Sequence, residues 1–193
     1  MYDNDFSIAA WIYIDNTDGQ TVFGSGNVAT RLKFGILSGG RLSFNLDGIP
    51  SYSSTALSTD TWYHVAITYD DDANELKHYI DGSLDDTDTF NLASTRTVEG
   101  VDARIGVNSY NTSNAFDGKI ASVAIYDNLL TAGEVSSLAG NSGYDATSVG
   151  SCVGWWRMGD GTEAGSGSTI YDMSTNSNDG TLNGNATIAS GGV

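Results

Sequence analysis

The sequence predicts an all-β protein, a sandwich of two antiparallel sheets, on three observations. Short apolar or alternating runs recur along most of the chain, the ends of the runs are crowded with Gly, Asn and Asp, and a single proline, Pro50, interrupts the 193 residues. Alternation marks strands with one face in a core. Gly and Asp tolerate the positive φ of tight turns, and strands exclude proline because they need their backbone donors. A chain of this length buries a real core without covalent staples, so one sandwich over residues 1–193 is expected rather than two domains.

The strand candidates in chain order are Phe6 to Ile14, Leu32 to Leu37, Arg41 to Leu46, Trp62 to Tyr69, Leu76 to Ile80, Arg104 to Val107 and Ala121 to Tyr126. Turn signals separate them at Asp18-Gly19, Gly39-Gly40, Asp47-Gly48, Asp81-Gly82 and Asp117-Gly118, with Ser38-Gly39-Gly40 and Asp81-Gly82 read as tight hairpin connections. Face-to-face packing of two sheets turns Trp11, Phe34, Phe44, Trp62, Val65, Ile67, Ile105, Val123 and Ile125 inward. The one helical candidate starts at Thr131, whose hydroxyl caps it with Glu134 three residues on, and ends near Gly140. Residues 141–150 are polar and Gly/Ser-rich, a linker from the main body (1–140) to a last segment (151–193).

Charge narrows the partners. The chain has 24 acidic and 8 basic residues, a net charge of −16, so nucleic acid and anionic membranes are repelled. Nearly all the acid is aspartate, the glutamates being Glu75, Glu99, Glu134 and Glu163, and that is turn chemistry. Cys152 is alone, so neither an intrachain disulfide nor a cysteine-based metal site is available. No run approaches the length of a membrane span, and the opening Met1-Tyr2-Asp3-Asn4-Asp5 lacks the basic and apolar regions of a signal peptide; no membrane insertion is expected.

A family resemblance rests on several segments in order: Phe6-Ser7-Ile8-Ala9-Ala10-Trp11-Ile12, Trp62-Tyr63-His64-Val65-Ala66-Ile67-Thr68-Tyr69-Asp70, Tyr79-Ile80-Asp81-Gly82, Arg104-Ile105-Gly106, and Phe116-Asp117-Gly118-Lys119-Ile120 with Val123-Ala124-Ile125-Tyr126. Leu130-Thr131 and Glu134 follow where the family has its closing helical turn. Over residues 5–140 the chain resembles the laminin G-like family of concanavalin A-like jelly rolls. That family usually opens with a tryptophan strand and an Asp-Ser-Asn-Asn-Gly-like turn, which are missing here at the front. Gly154-Trp155-Trp156-Arg157-Met158 and Tyr171-Asp172-Met173-Ser174-Thr175-Asn176-Ser177-Asn178-Asp179-Gly180-Thr181-Leu182 resemble just that opening. The resemblance therefore implies that Val153 to Ile188 supplies the family's first strand, either to its own sandwich or, by exchange, to a neighbour's. The linker spans about 30 Å if extended, enough for the first option; the second gives self-assembly into a head-to-tail filament.

Candidate sites follow from chemistry. Trp155 and Trp156 are adjacent on a strand and point to opposite faces, so one is core and the other is covered by a neighbour or left to stack on a sugar. With the loop-edge residues Tyr110, Asn111 and Asn114 they form the candidate ligand-binding set. Calcium takes oxygen ligands, which Asp172, Ser174, Asn176 and Asn178 offer in alternation, although Ser177 stands where an EF-hand has glycine and no closing glutamate follows. Asp70 and Asp72, with Asp71 and Asn74, offer a second oxygen-rich turn whose simpler reading is a hairpin. Relatives with this fold carry calcium at loop tips, which makes calcium the one cofactor to test.

Enzymatic readings find little support. Glycosidases of this fold place Glu-x-Asp-x-Glu on one strand face, and no two glutamates here lie close in sequence. His64 and His78 sit in strand patterns with no Gly-x-Ser-x-Gly turn beside them. The Asn111-Thr112-Ser113 and Asn185-Ala186-Thr187 sequons are expected by chance in so Asn-rich a chain. The expected function is a non-catalytic binding and display module on a virion, fibre or secreted surface protein, extracellular, contacting glycans or surface proteins. The alternative is a purely structural assembly subunit.

Overall fold

The parity of β1 (Phe6–Ile14) orients the whole molecule. Phe6, Ile8, Ala10, Ile12 and Ile14 are fully buried in the main core, and the opposite parity carries Ser7, Ala9, Trp11 and Tyr13 on the other face of the sheet. The computed structural model describes residues 5–26, 31–89, 102–109, 111, 113–158 and 165–188.

The remaining strands are β2 (Gln20–Gly26), β3 (Arg31–Ile36), β4 (Arg41–Leu46), β5 (Ile49–Ala56), β6 (Trp62–Asp70), β7 (Glu75–Ile80), β8 (Ser83–Thr89), β9 (Arg104–Ile105), β10 (Gly118–Tyr126) and β11 (Cys152–Trp156). They form a six-stranded sheet in the order β11-β10-β1-β6-β7-β8 and a five-stranded sheet in the order β5-β4-β3-β2-β9. Every pairing in both is antiparallel. The main core lies between them: Val65, Ile67 and Tyr69 of β6 and Val123 and Ile125 of β10 face Leu32, Phe34 and Ile36 of β3 and Leu42, Phe44 and Leu46 of β4. This is the antiparallel β-sandwich that the alternation predicts.

Two hairpins close as their turn residues require. Asp47-Gly48 joins β4 to β5 with φ of 52° and 84°, and Asp81-Gly82 joins β7 to β8 with φ of 49° and 75°; paired positive φ is what a two-residue hairpin turn demands.

Helix α1 (Ala132–Ala139) has the expected capping box, Thr131 accepting from the Glu134 N–H while the Glu134 carboxylate accepts from the Thr131 N–H. Val135 and Leu138 seal it onto the outer face of the six-stranded sheet with Ala9, Ala66, Ala124, Tyr126 and Trp155, a second apolar layer. The segment 141–150 is less a tether than its composition suggests. It holds a 3₁₀ turn at Ala146–Ser148, Ala146 is buried in the second layer, and the Tyr126 hydroxyl donates to its carbonyl at 3.0 Å.

After it, β11 pairs with β10 of the same chain, Trp155 opposite Ala124 and Trp156 opposite Val123. A small sheet of β12 (Gly165–Ser166), β13 (Thr169–Ile170) and β14 (Gly180–Thr181) follows.

Two expected core residues are corrected. Trp11 and Trp62 are half-buried on the outer face of the six-stranded sheet, where Trp11 meets His64 edge-on at 5.6 Å and Trp62 meets Tyr13 at 5.7 Å. Their strands bury the other parity, which carries Ile8 and Ile12 in β1 and Val65 and Ile67 in β6. Phe34, Phe44, Val65, Ile67, Val123 and Ile125 lie in the main core, with Ile105 packed against it.

Candidate functional site

The outer face of the five-stranded sheet holds an open cleft of about 250 Å³. Since Leu32, Phe34 and Ile36 of β3 and Leu42, Phe44 and Leu46 of β4 point into the core, the alternate residues Lys33, Leu37, Ser43 and Asn45 point out into the cleft, joined by Pro50 and Tyr52 of β5. Asn108 and Asn114, from the connection between β9 and β10, close one side. Gly35, between Thr21 and Ser43 in the sheet, lets β2 approach β3 closely; a methyl there would stand 2.1 Å from the Gln20 carbonyl oxygen.

Local bonds hold the walls. The Asn45 Oδ1 accepts from the Gly48 N–H at 3.1 Å, fixing the β4–β5 turn. Asn114 donates from Nδ2 to the Gly19 carbonyl at 2.8 Å, and its own carbonyl accepts from the Thr21 N–H at 2.9 Å. Gln20, buried, donates to Asn16 and accepts from the Asp117 N–H, tying the β1–β2 turn to the strand entering β10. The Arg41 guanidinium sits 5.8 Å over the Tyr52 ring and donates from Nε to the Ser53 carbonyl. The cleft thus offers an aromatic and aliphatic surface, planar amides, a hydroxyl and an ammonium group, the mixture that a polar ring with apolar faces requires.

Of the ligand-binding residues expected from sequence, Asn114 lines this cleft. Asn111 is exposed, its Oδ1 taken by the N–H and hydroxyl of Ser113, and Tyr110 lies outside the described residues. Trp155 is corrected: at 5% exposure under α1, with its Nε1 donating to the Ser122 hydroxyl at 3.0 Å, it has no face to offer. Trp156 packs against the main core from β11, donates from Nε1 to the Asn178 carbonyl at 2.9 Å, and lies over Gly154, where a methyl would meet its ring at 2.5 Å. Both indoles are closure residues.

The expected calcium ligands are engaged otherwise. Asp172 accepts at Oδ1 from the N–H groups of Trp155 and Ser174, both at 2.9 Å, and at Oδ2 from the Asn178 N–H at 2.9 Å. Burial pushes its carboxyl up, but these N–H bonds and one from the Ser174 hydroxyl outweigh it and hold the group below the ordinary value. The Ser174 Oγ accepts from the Asn176 N–H, and the side-chain amides of Asn176 and Asn178 both donate to the Val153 carbonyl. In the other turn, Asp70 accepts from the Ala73 N–H at 2.8 Å and Asp72 is exposed. Asp70, Asp172 and Ser174 thus accept from N–H groups, and among the described residues no three His, Cys, Asp or Glu side chains converge.

One cluster is invisible in the sequence. The Ser51 hydroxyl lies 2.6 Å from His78 Nε2 and donates to Asp88 Oδ2 at 2.6 Å, so a strand of one sheet and a hairpin of the other bring Ser, His and Asp together. The arrangement differs from a nucleophile's triad: the aspartate bonds the serine and not the histidine, whose buried Nδ1 has no hydrogen-bond partner. Ser51 and His78 are both buried. The cluster is a strut between the sheets, from β5 to β7 and β8. Burial lowers the His78 pKa to about 4 against the opposing pull of Asp88, Asp86 and Asp85, and lowers that of His64 to about 3. Burial also raises the Cys152 thiol to about 11, leaving it protonated and unreactive at neutral pH.

A two-sheet antiparallel jelly roll with an open outer sheet face is the lectin-like class of β-sandwich. Residues 1–136 match the family model described as the concanavalin A-like lectin/glucanases superfamily, and the chain belongs to that family. Among curated proteins no relative matches. The chain is similar in structure to a Bacteroides ovatus protein provisionally assigned as carbohydrate-binding, with a TM-score of 0.76 and 22% identity over 95% of this chain and 53% of that one. It thus spans about half of that protein. It is also similar to the CBM40 module of the Ruminococcus gnavus IT-sialidase bound to α2,3-sialyllactose (TM-score 0.61, 17% identity, 71% of this chain and 83% of that one). A third likeness is to the heptameric SAP-like pentraxin of Limulus polyphemus (TM-score 0.55, 13% identity, 74% and 72%). At these identities the likenesses establish the fold. Among the described residues no helix is long and apolar enough to cross a membrane.

Proposed function

We propose that the protein is a non-catalytic glycan-binding module, carried outside the cell on a secreted surface protein or particle, and that it binds through the outer face of its five-stranded sheet. The cleft carries this reading, because it sets the Tyr52 ring, Leu37 and Pro50 beside the polar groups of Lys33, Ser43, Asn45 and Asn114. A pyranose presents the matching surface, apolar C–H faces edged by hydroxyls. The same sheet argues for binding without cleavage. Hydrolysis of a glycosidic bond needs two carboxylates across the bond, and β2, β3, β4, β5 and β9 contain no Asp or Glu. The sandwich likeness to a sialidase's CBM40 module and to a provisionally carbohydrate-binding protein supports the same reading.

The test is a glycan array followed by calorimetry on the full chain and on Tyr52→Ala. We expect at least one glycan class to be retained with or without calcium, unchanged in length after incubation, and Tyr52→Ala to weaken it by roughly tenfold, the value of one stacking contact. A blank array would leave the assembly subunit as the better description, and an unchanged Tyr52→Ala would move the site elsewhere.

A further inference from the structure

Charge on this molecule is divided between its two sheets. The strands of the six-stranded sheet carry Asp70, Glu75, Asp85, Asp86 and Asp88 against Lys77 and Lys119. Those of the five-stranded sheet carry Arg31, Lys33, Arg41 and Arg104 and no acid at all. In a chain with 8 basic residues and a net charge of −16, this is a local reversal of sign along the strands that carry the cleft. From that reversal we infer that the cleft is selective for a glycan bearing an anionic substituent, a carboxylate or a sulfate. The inference rests on the glycan-binding reading above and names the ligand class.

One cation lines the cleft and a second adjoins it. Lys33 is in its wall, and Arg41 lies over Tyr52, a wall residue. Arg104 sits two strands beyond β3, opposite Gly24 of β2. The backbone of Val107 and Ser109 covers the outer side of Gly24, at 3.3 and 3.2 Å from where a methyl on that residue would stand, so Arg104 contributes at longer range. A net charge of −16 disfavours any anion at a distance, but the Debye length is about 8 Å at physiological ionic strength. Within the cleft the nearest charges decide, and those on the strands are positive. The aspartates next to these strands lie off them: Asp18, Asp47, Asp102 and Asp117 in the connections, and Asp85 and Asp88 on β8, which accept from Ser54, Thr55 and Ser51 of β5. Long polyanions would sample the acidic remainder of the surface; a short glycan with one anionic group would not.

The experiment measures binding of the full chain to matched sets: a carboxylated oligosaccharide (sialyl or uronyl), a sulfated one and the neutral parent of each. Lys33→Gln is compared with Lys119→Gln, whose cation lies on the opposite sheet over Tyr13. Expected is binding to a charged member roughly tenfold or more tighter than to its neutral parent, a loss of about that factor in Lys33→Gln and with added salt, and no loss in Lys119→Gln. The carboxylated and sulfated arms identify which anion is the source. Equal binding of charged and neutral members, or equal effects of the two lysine variants, overturns the charge selectivity while leaving glycan binding intact. Binding to none of them overturns both.

Discussion

Asp172 does with three backbone N–H groups what a bound ion does in many loop tips: it draws 172–178 into one arc and fastens the arc to Trp155. Asp172→Ala leaves those donors without a partner, so we expect a loss of roughly 2–4 kcal/mol, read as a lower Tm. Calcium or a chelator should leave the wild-type melting curve in place; a rise with calcium would place an ion in the fold. The buried histidines set a pH dependence whose sign is fixed. Their folded pKa values, about 3 for His64 and about 4 for His78, lie below the ordinary value of 6.5. Between those limits the unfolded chain binds protons that the native state refuses, so stability is highest above pH 6.5 and falls on acidification by up to about 1.4 kcal/mol per pH unit for each histidine. Urea unfolding at pH 7, 6 and 5 checks this, and a flat profile would contradict neutral buried imidazoles. At this scale the sequence was legible where chemistry is local, as in the Thr131–Glu134 capping box. It misled where parity decides: Trp11 and Trp62 are the largest side chains of their strands, yet the aliphatic parity took the core.

Among the elements, strands with apolar alternation were legible and those without it were not. β2 is polar and glycine-rich, β5 combines Pro50 with serines, and β8 reads Ser-Leu-Asp-Asp-Thr-Asp-Thr. The last two are sheet edges, where proline is tolerated and charge deters pairing with another chain. Missing β5 also hid the cleft, since Tyr52 becomes a wall residue only once β5 lies beside β4. Asn114 was legible as a loop amide, but nothing local tells which face its loop overhangs. The other sheet edge that matters is β10. With β11 it is paired; without residues 151–193 it is bare, α1 loses Trp155 and the main core loses the packing of Trp156. We expect a 1–140 fragment to aggregate on expression. A soluble, folded, monomeric fragment would show that the last segment is dispensable.

The whole molecule pairs a strongly acidic composition with one sheet whose strands carry only positive charge. Net charge alone argues against anionic partners, but composition averages over a surface that the fold separates into two faces. Because β11 completes the sheet of its own chain, light scattering should return one monomer mass across a concentration series; a ladder of masses would favour exchange of the last segment between molecules. The central claim is that the outer face of the five-stranded sheet is the binding surface, and a titration followed by amide NMR tests it most directly. With a glycan retained on the array, shifts should concentrate at Lys33, Ser43, Asn45, Tyr52 and Asn114. Shifts gathered instead around Trp11, Tyr13 and Trp62 on the opposite sheet would contradict the assignment.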